Sequence, residues 1–160
     1  MIDLNKLSTE ENNPNSKDIE LQDSFEIIKR INEEDKKVAF CVEKELKSIS
    51  RLIDAILSNY TKDTRIIYIG AGTSGRLGIL DASECPPTYG VSHEKVQGII
   101  AGGNEAIFRA KENAEDSREL GKEDLININL TKNDAVIGLA ASGRTPYVMG
   151  AIEYANSIGA

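Results

Sequence analysis

Arg65-Ile66-Ile67-Tyr68-Ile69-Gly70-Ala71-Gly72-Thr73-Ser74-Gly75 is the stretch that decides the fold. The first five residues are a short β-rich run with no polar alternation, the composition of a parallel strand buried on both faces. Gly70 ends that run, and Gly70 to Gly75 read as a tight loop. Arg76 to about Glu84 then reads as a helix stopped by Pro86-Pro87. One strand, one glycine turn and one helix make the first half of a βαβ unit.

Working outward, the same grammar recurs twice. Val96 to Ile100 reads as a second strand closed by Ala101-Gly102-Gly103, with Asn104 as N-cap of a helix to about Leu120 and Gly121 as its stop. Asp134 to Leu139 reads as a third strand. A loop over Ala140 to Thr145 follows it, then a helix opened by Pro146 in its first turn. Strands alternating with helices predict an α/β fold, a parallel sheet flanked by helices in three layers. Three strands make a thin sheet, and no return strand follows the last helix, so the sheet is expected to be incomplete within this chain.

Upstream the periodicity is helical. Phe25, Ile28 and Ile31, then Val42, Leu46, Ile49, Ile53 and Ile56, recur at steps of three and four, with charged residues between them. Two helices are expected between Ile19 and Asn59, broken near Asn32 to Asp35. Residues 1 to about 18 are polar and rich in Asn, and read as an extended arm. The organisation is therefore an arm with helices over residues 1–60 and a sheet domain over 61–160.

Composition narrows the partners. The formal charge is −7 with no Lys/Arg-rich run, which argues against a nucleic-acid backbone. No apolar stretch has the length of a membrane span, and no signal-like segment opens the chain. Cys41 and Cys85 are the only cysteines and have no metal-ligand spacing, so a reducing cytoplasm is the expected compartment. An acidic chain still binds phosphate where helix N-termini present backbone N–H groups.

Gly70-Ala71-Gly72-Thr73-Ser74-Gly75 also matches the G-x-G-x-x-G dinucleotide fingerprint, but the match lacks its ribose anchor. The second strand ends in Ala101-Gly102-Gly103, and Glu94 precedes that strand. The second turn, Ala141-Ser142-Gly143-Arg144-Thr145-Pro146, supplies the better reading. Parallel strands put both turns on one sheet edge, where Gly72, Thr73 and Ser74 with Ser142, Gly143, Arg144 and Thr145 can surround one phosphoester with N–H and O–H donors. The plainer alternative is that these hydroxyls only cap helices.

Residues 69 to 78, Ile-Gly-Ala-Gly-Thr-Ser-Gly-Arg-Leu-Gly, followed by Asp81-Ala82-Ser83-Glu84-Cys85-Pro86-Pro87-Thr88, resemble the signature of the N-acetylmuramic acid 6-phosphate etherase family. The resemblance extends from Thr9-Glu10 and Asn13-Pro14-Asn15-Ser16 through Ile31 to Asp35 and on to Ser142 to Tyr147. It implies a sugar isomerase (SIS) domain, a cytoplasmic homodimer, and no metal or redox cofactor. It also implies a longer chain than this one, with further sheet and a helical region.

The implied reaction cleaves the D-lactyl ether of a sugar phosphate during cell-wall sugar recycling. An unactivated ether resists direct hydrolysis, so the chemistry is elimination followed by water addition, run by two carboxyl groups in opposite protonation states. The resemblance makes Glu84 the acid that protonates departing lactate and Glu115 the base at C2. Glu84 falls near the end of the first helix, where the negative end of the helix dipole favours the protonated form. Phe108, Lys111, Glu112 and Glu115 share a face at helical spacing, although an acidic run there also reads as a solvated surface. Cys85 reads as a packing thiol, and His93 lies in a loop with no nucleophile spaced to it. Arg76 and Arg144 suit a phosphate or lactyl carboxylate as well as they suit solvent. Two other functions fit the domain: a regulator that senses sugar phosphates, as the related glucokinase regulatory protein does, and an aldose–ketose isomerase.

Overall fold

A computed structural model describes residues 11–160, so the Thr9-Glu10 part of the resemblance and the first ten residues of the arm lie outside the described residues. The chain divides between Ser58 and Asn59 into two compact units. No helix among the described residues is long and apolar enough to cross a membrane.

In the first unit the described part of the arm is folded back, not extended. It forms 3-10 turns at Pro14–Ser16 and Ile19–Leu21. Asn13 Nδ2 donates to Glu34 Oε2 at 3.0 Å, and Arg30 donates to the Lys17 carbonyl at 3.0 Å. Helix α1 runs over Ser24–Lys44 and α2 over Leu46–Ser58. Asp23 caps α1 by accepting from the Glu26 N–H, with Glu26 in the place a capping box requires. The expected break at Asn32 to Asp35 does not occur. That segment has no Gly or Pro, and the Lys37–Glu34 pair supports its turn. The helices part at Glu45 instead.

The second unit is the sheet. Strands β1 (Ile66–Gly70), β2 (Val96–Ile100) and β3 (Ala135–Leu139) are parallel in the order β2-β1-β3. Tyr68 stands beside Gly98 and Ile137, while Ile67 and Ile69 point to the opposite face. Helix α3 (Gly72–Tyr89) covers the Tyr68 face, and α5 (Arg118–Asn127) with α6 (Pro146–Ile158) covers the other. Ile67, Ile69, Leu125 and Tyr147 are fully buried in that second layer. The outcome is the expected three-layer α/β arrangement with an open sheet.

Two glycines set how closely α3 lies on the sheet. A methyl on Gly98 would stand 2.6 Å from the Ile79 Cα, and one on Gly78 would stand 2.8 Å from the Tyr68 Cβ. Between α5 and α6 the approach is closer still. A methyl on Gly121 would collide with the Tyr147 carbonyl, and one on Gly150 with the Arg118 carbonyl.

Three helical expectations need correction. Pro86 and Pro87 lie inside α3, in its last turn, rather than ending it before them. A proline's fixed φ is helical, so it removes hydrogen bonds before it removes the coil; Gly90, left-handed at φ +67, ends the helix by donating to the Pro86 carbonyl. The helix expected from Asn104 to Leu120 is in fact broken. Helix α4 covers only Glu105–Phe108, Asn113 is left-handed at φ +64, and a 3-10 turn follows at Ala114–Asp116. Ser117 is the working N-cap, its Oγ accepting from the Leu120 N–H at 3.2 Å, and Gly121 lies inside α5 as a contact residue.

The foot of the sheet is tied by two matched turns, Thr61-Lys62-Asp63-Thr64 before β1 and Thr131-Lys132-Asn133-Asp134 before β3. Thr64 Oγ1 accepts from the Thr61 N–H at 2.9 Å, and Asp134 Oδ2 accepts from the Thr131 N–H at 2.8 Å. Arg65 completes the tie. It donates to both Asp134 oxygens, at 2.8 and 2.6 Å, and to the carbonyls of Ile128 and Asn129. Burial pushes the Asp134 carboxyl upward, but Arg65 and the Thr131 donors outweigh it and hold the group below its ordinary value.

A carboxyl so depressed stabilises the fold above its unfolded pKa, about 4, and that contribution disappears as pH falls through the lower folded value. Asp134→Ala, which strands Arg65, is expected to lower stability by about 3 kcal/mol in urea unfolding at neutral pH. Asp134→Asn should lose less and should also flatten the acid limb below about pH 4. An unchanged acid limb would show that Asp134 is not the titrating group.

Candidate active site

Parallel strands put three turns on the C-terminal edge of the sheet. They are Ala71–Gly75 after β1, Ala101–Asn104 after β2 and Ala140–Thr145 after β3. Gly70 and Leu139 are register partners, so the first and third turns leave neighbouring strands side by side. In the first, Gly72 is left-handed at φ +54, and the Gly75 N–H donates to the Ala71 carbonyl at 3.1 Å. The N–H groups of Gly72, Thr73 and Ser74 precede that bond and have no intrahelical partner. They form the donor end of an 18-residue helix.

In the third turn Gly143 is left-handed at φ +64, and its N–H donates to the Ala140 carbonyl at 3.3 Å. The Arg144 N–H donates to Ser142 Oγ at 3.2 Å. Ser142, Gly143 and Arg144 are exposed, and Thr145 is the N-cap residue of α6 without a side-chain cap bond. Ala71 holds the N-cap position of α3. Neither Thr73, Ser74 nor Thr145 therefore spends its hydroxyl as a helix cap, and Ser142 closes only its own turn. Tyr147, in the first turn of α6, donates to Asp124 Oδ2 at 2.5 Å and pins this helix to α5. Burial, then the Asp124 bond, raises the Tyr147 hydroxyl well above its ordinary range.

A cavity of about 130 Å³ opens beside the first turn, lined by Gly72, Arg76, Lys111, Glu112, Ala114 and Glu115 among others. Glu115 thus shares a cavity with Gly72 of the first glycine turn. It does so from the 3-10 turn Ala114–Asp116, not from a long helix, so the shared helical face of Phe108, Lys111, Glu112 and Glu115 does not exist. Phe108 is 86% exposed.

Thr73, Ser74 and the Ser142–Thr145 turn do not line this cavity, and neither does Glu84. Glu84 is exposed on α3, a turn before its last, so the end-of-helix premise for it fails. Twelve residues separate it from Gly72, about 18 Å of helix at 1.5 Å per residue.

The remaining candidates separate cleanly. Arg76 donates from Nε to the Ile107 carbonyl at 2.9 Å and from Nη2 to the Ala106 carbonyl at 2.8 Å. Sequence reading missed this bond pair, since nothing in the sequence marks a carbonyl as its partner. Arg144 forms no side-chain hydrogen bond or ion pair among the described residues. Burial and the Asp81 carboxylate push the Cys85 thiol up, which suits packing rather than attack. Beneath it Tyr68 is pushed up to about 12, by burial first and then by its bond to Asp81. His93 is exposed in the loop before β2.

The family profile described as glucokinase regulatory protein N-terminal SIS domain matches residues 48–156, which include all three strands and all three turns. The chain belongs to this SIS-domain family. The SIS chain is also 60% identical over 159 residues to an N-acetylmuramic acid 6-phosphate etherase of Clostridium botulinum (strain Langeland / NCTC 10281 / Type F), covering 99% of this chain and 53% of that protein. It is 62% identical over 159 residues to a protein of the same name from Clostridium beijerinckii (strain ATCC 51743 / NCIMB 8052), of which it covers 52%. The chain spans about half the length of these curated relatives. Thr73-Ser74 and Ser142 to Thr145 fall inside the matched region.

Proposed function

We propose that this SIS domain grips the phosphate of N-acetylmuramate 6-phosphate in an enzyme that cleaves the D-lactyl ether by elimination and hydration. The observation that carries the reading is the meeting of Glu115 with the Gly72 turn at one cavity, beside a second uncapped helix start at Thr145. Names shared by relatives at about 60% identity add the choice of substrate. A phosphate at the Gly72–Ser74 N–H groups would meet the positive end of α3. With the sugar open, the C1 aldehyde acidifies C2–H. The Glu115 carboxylate takes that proton, the C3–O bond breaks, and lactate leaves as its oxygen gains a proton. Water then adds across the new C2–C3 double bond, its hydroxyl to C3 and a proton to C2. The products are N-acetylglucosamine 6-phosphate and D-lactate.

In this reading Glu84 is the acid. Its place along α3 is farther from the Gly72 turn than a hexose phosphate spans. The cytoplasmic homodimer that the resemblance implies would reconcile the two, with Glu84 of one copy serving the cavity of the other. Mixing inactive Glu84→Ala and Glu115→Gln proteins should then restore lactate release. No restoration removes the shared arrangement.

Incubating the intact protein with the substrate in heavy water is expected to release D-lactate and leave deuterium at C2. Lactate release with hydrogen retained at C2 would exclude elimination. The family description favours one second reading, a sugar-phosphate sensor. Tight binding without lactate release from the intact protein would select it, and interconversion of hexose phosphates would select an isomerase.

A further inference from the structure

The segment between β2 and α5 supplies the Lys111–Glu115 wall of the cavity. Gly102 and Gly103 are left-handed at φ +87 and +71, and Asn113 is left-handed at the far end. Between them lie only the four residues of α4 and irregular backbone. The Lys111 stem packs against Gly102, and its ammonium pairs with Glu105 at 2.9 Å, a bond between exposed groups worth little. Ala106 is buried.

This strap is held to the rest of the unit by buried Ala106, by Ala114 packed on the core beside α6, and by Arg76. The Arg76 guanidinium donates to the carbonyls of Ala106 and Ile107, which have no backbone donor among the described residues. Two parallel N–H bonds from one planar fork fix an orientation as well as a distance. A lysine, with a compact ammonium on a flexible stem, keeps the charge but not that orientation.

We infer that Arg76 is a positioning residue rather than a phosphate ligand: by clamping Ala106 and Ile107 it holds the 103–116 strap so that Glu115 faces the Gly72 turn. Arg76 and Glu115 both line the cavity, so loosening the clamp alters its wall without touching the donor end of α3. The turnover part of this inference rests on the proposed lyase reaction; the clamp itself does not.

The test compares Arg76→Lys and Arg76→Ala in the intact protein. Amide hydrogen exchange over residues 103–116 is expected to speed up roughly tenfold or more in both, with exchange of β1 and β3 unchanged. The affinity for inorganic phosphate should stay within about threefold of the parent, since α3 supplies those donors. Turnover should fall by about 10²-fold with KM little changed, as misplacement of a catalytic group does. Guanidinium added to Arg76→Ala should restore part of both protection and turnover.

Unchanged exchange in 103–116 would overturn the inference. So would wild-type behaviour in Arg76→Lys combined with a tenfold or greater loss of phosphate affinity in Arg76→Ala, because that pattern belongs to a ligand acting by charge. If the parent releases no lactate while the strap still loosens, the lyase reading fails and the clamp stands.

Discussion

Glu115→Gln is expected to lower turnover of the intact protein by about 10² to 10⁴-fold, the usual contribution of a positioned general base. The substitution keeps the side chain's shape and removes only its capacity to accept a proton. Glu115 is exposed within the 3-10 turn Ala114–Asp116 and has no packing role, so unfolding temperature should not move. Phosphate affinity should also hold, because the donors at Gly72, Thr73 and Ser74 are untouched. Deuterium exchange into C2 of the substrate should fall in parallel with lactate release. Glu112→Gln is the control: it lines the same cavity but has no assigned proton to move. Equal losses from both variants would point to the charge of the cavity and remove Glu115 from its role. Retained turnover in Glu115→Gln would remove it directly.

The second large effect is on the fold. Gly121→Ala and Gly150→Ala each place a methyl inside a carbonyl of the opposing helix, Tyr147 in one case and Arg118 in the other. Flexible side chains yield to such intrusion, but a backbone carbonyl moves only with its helix. Each substitution is therefore expected to cost about 3 kcal/mol or more, at or beyond the upper end for overpacking, despite alanine's better helix propensity. Urea unfolding followed by circular dichroism would measure the loss. Gly90→Ala and Gly143→Ala make instructive comparisons. They are strained by positive φ but have open space around the added carbon, so they should cost near 1 kcal/mol. If Gly121→Ala matched them, the α5–α6 crossing would be looser than described. Because α6 begins at the Ser142–Thr145 turn, loss of this crossing should also weaken phosphate binding before global unfolding.

The strands were legible because their signal is local. Ile66 to Ile69 and Val96 to Ile100 are short apolar β-rich runs, each followed by a glycine-containing turn, and the parallel sheet placed them as the alternation with helices implies. The turns followed from the same logic, since parallel strands necessarily deliver Gly72 and Ser142 to one edge. Helix ends were harder to read. Pro86-Pro87 looked like a stop, yet a proline in the last turn removes donors without changing the coil. Gly121 looked like a stop as well, when its missing side chain makes room for α6.

The site was legible only in part. Glu115 carries no local mark that distinguishes it from Glu112, Asp116 or Glu119, and its place depends on Ser117 starting a new helix after the 3-10 turn. Arg76 bonds to carbonyls thirty residues away in the chain. Contacts of that kind depend on tertiary packing, which no periodicity encodes.

The paired turns at Thr61–Thr64 and Thr131–Asp134, with the Arg65 fork between them, have one more consequence. They brace the pole of the domain opposite the Gly72 and Ser142 turns. Strands β1 and β3 are tied together at that pole, and the left-handed joints at Gly102, Gly103 and Asn113 lie toward the other. The domain is built like a hand with a braced wrist and a single jointed finger.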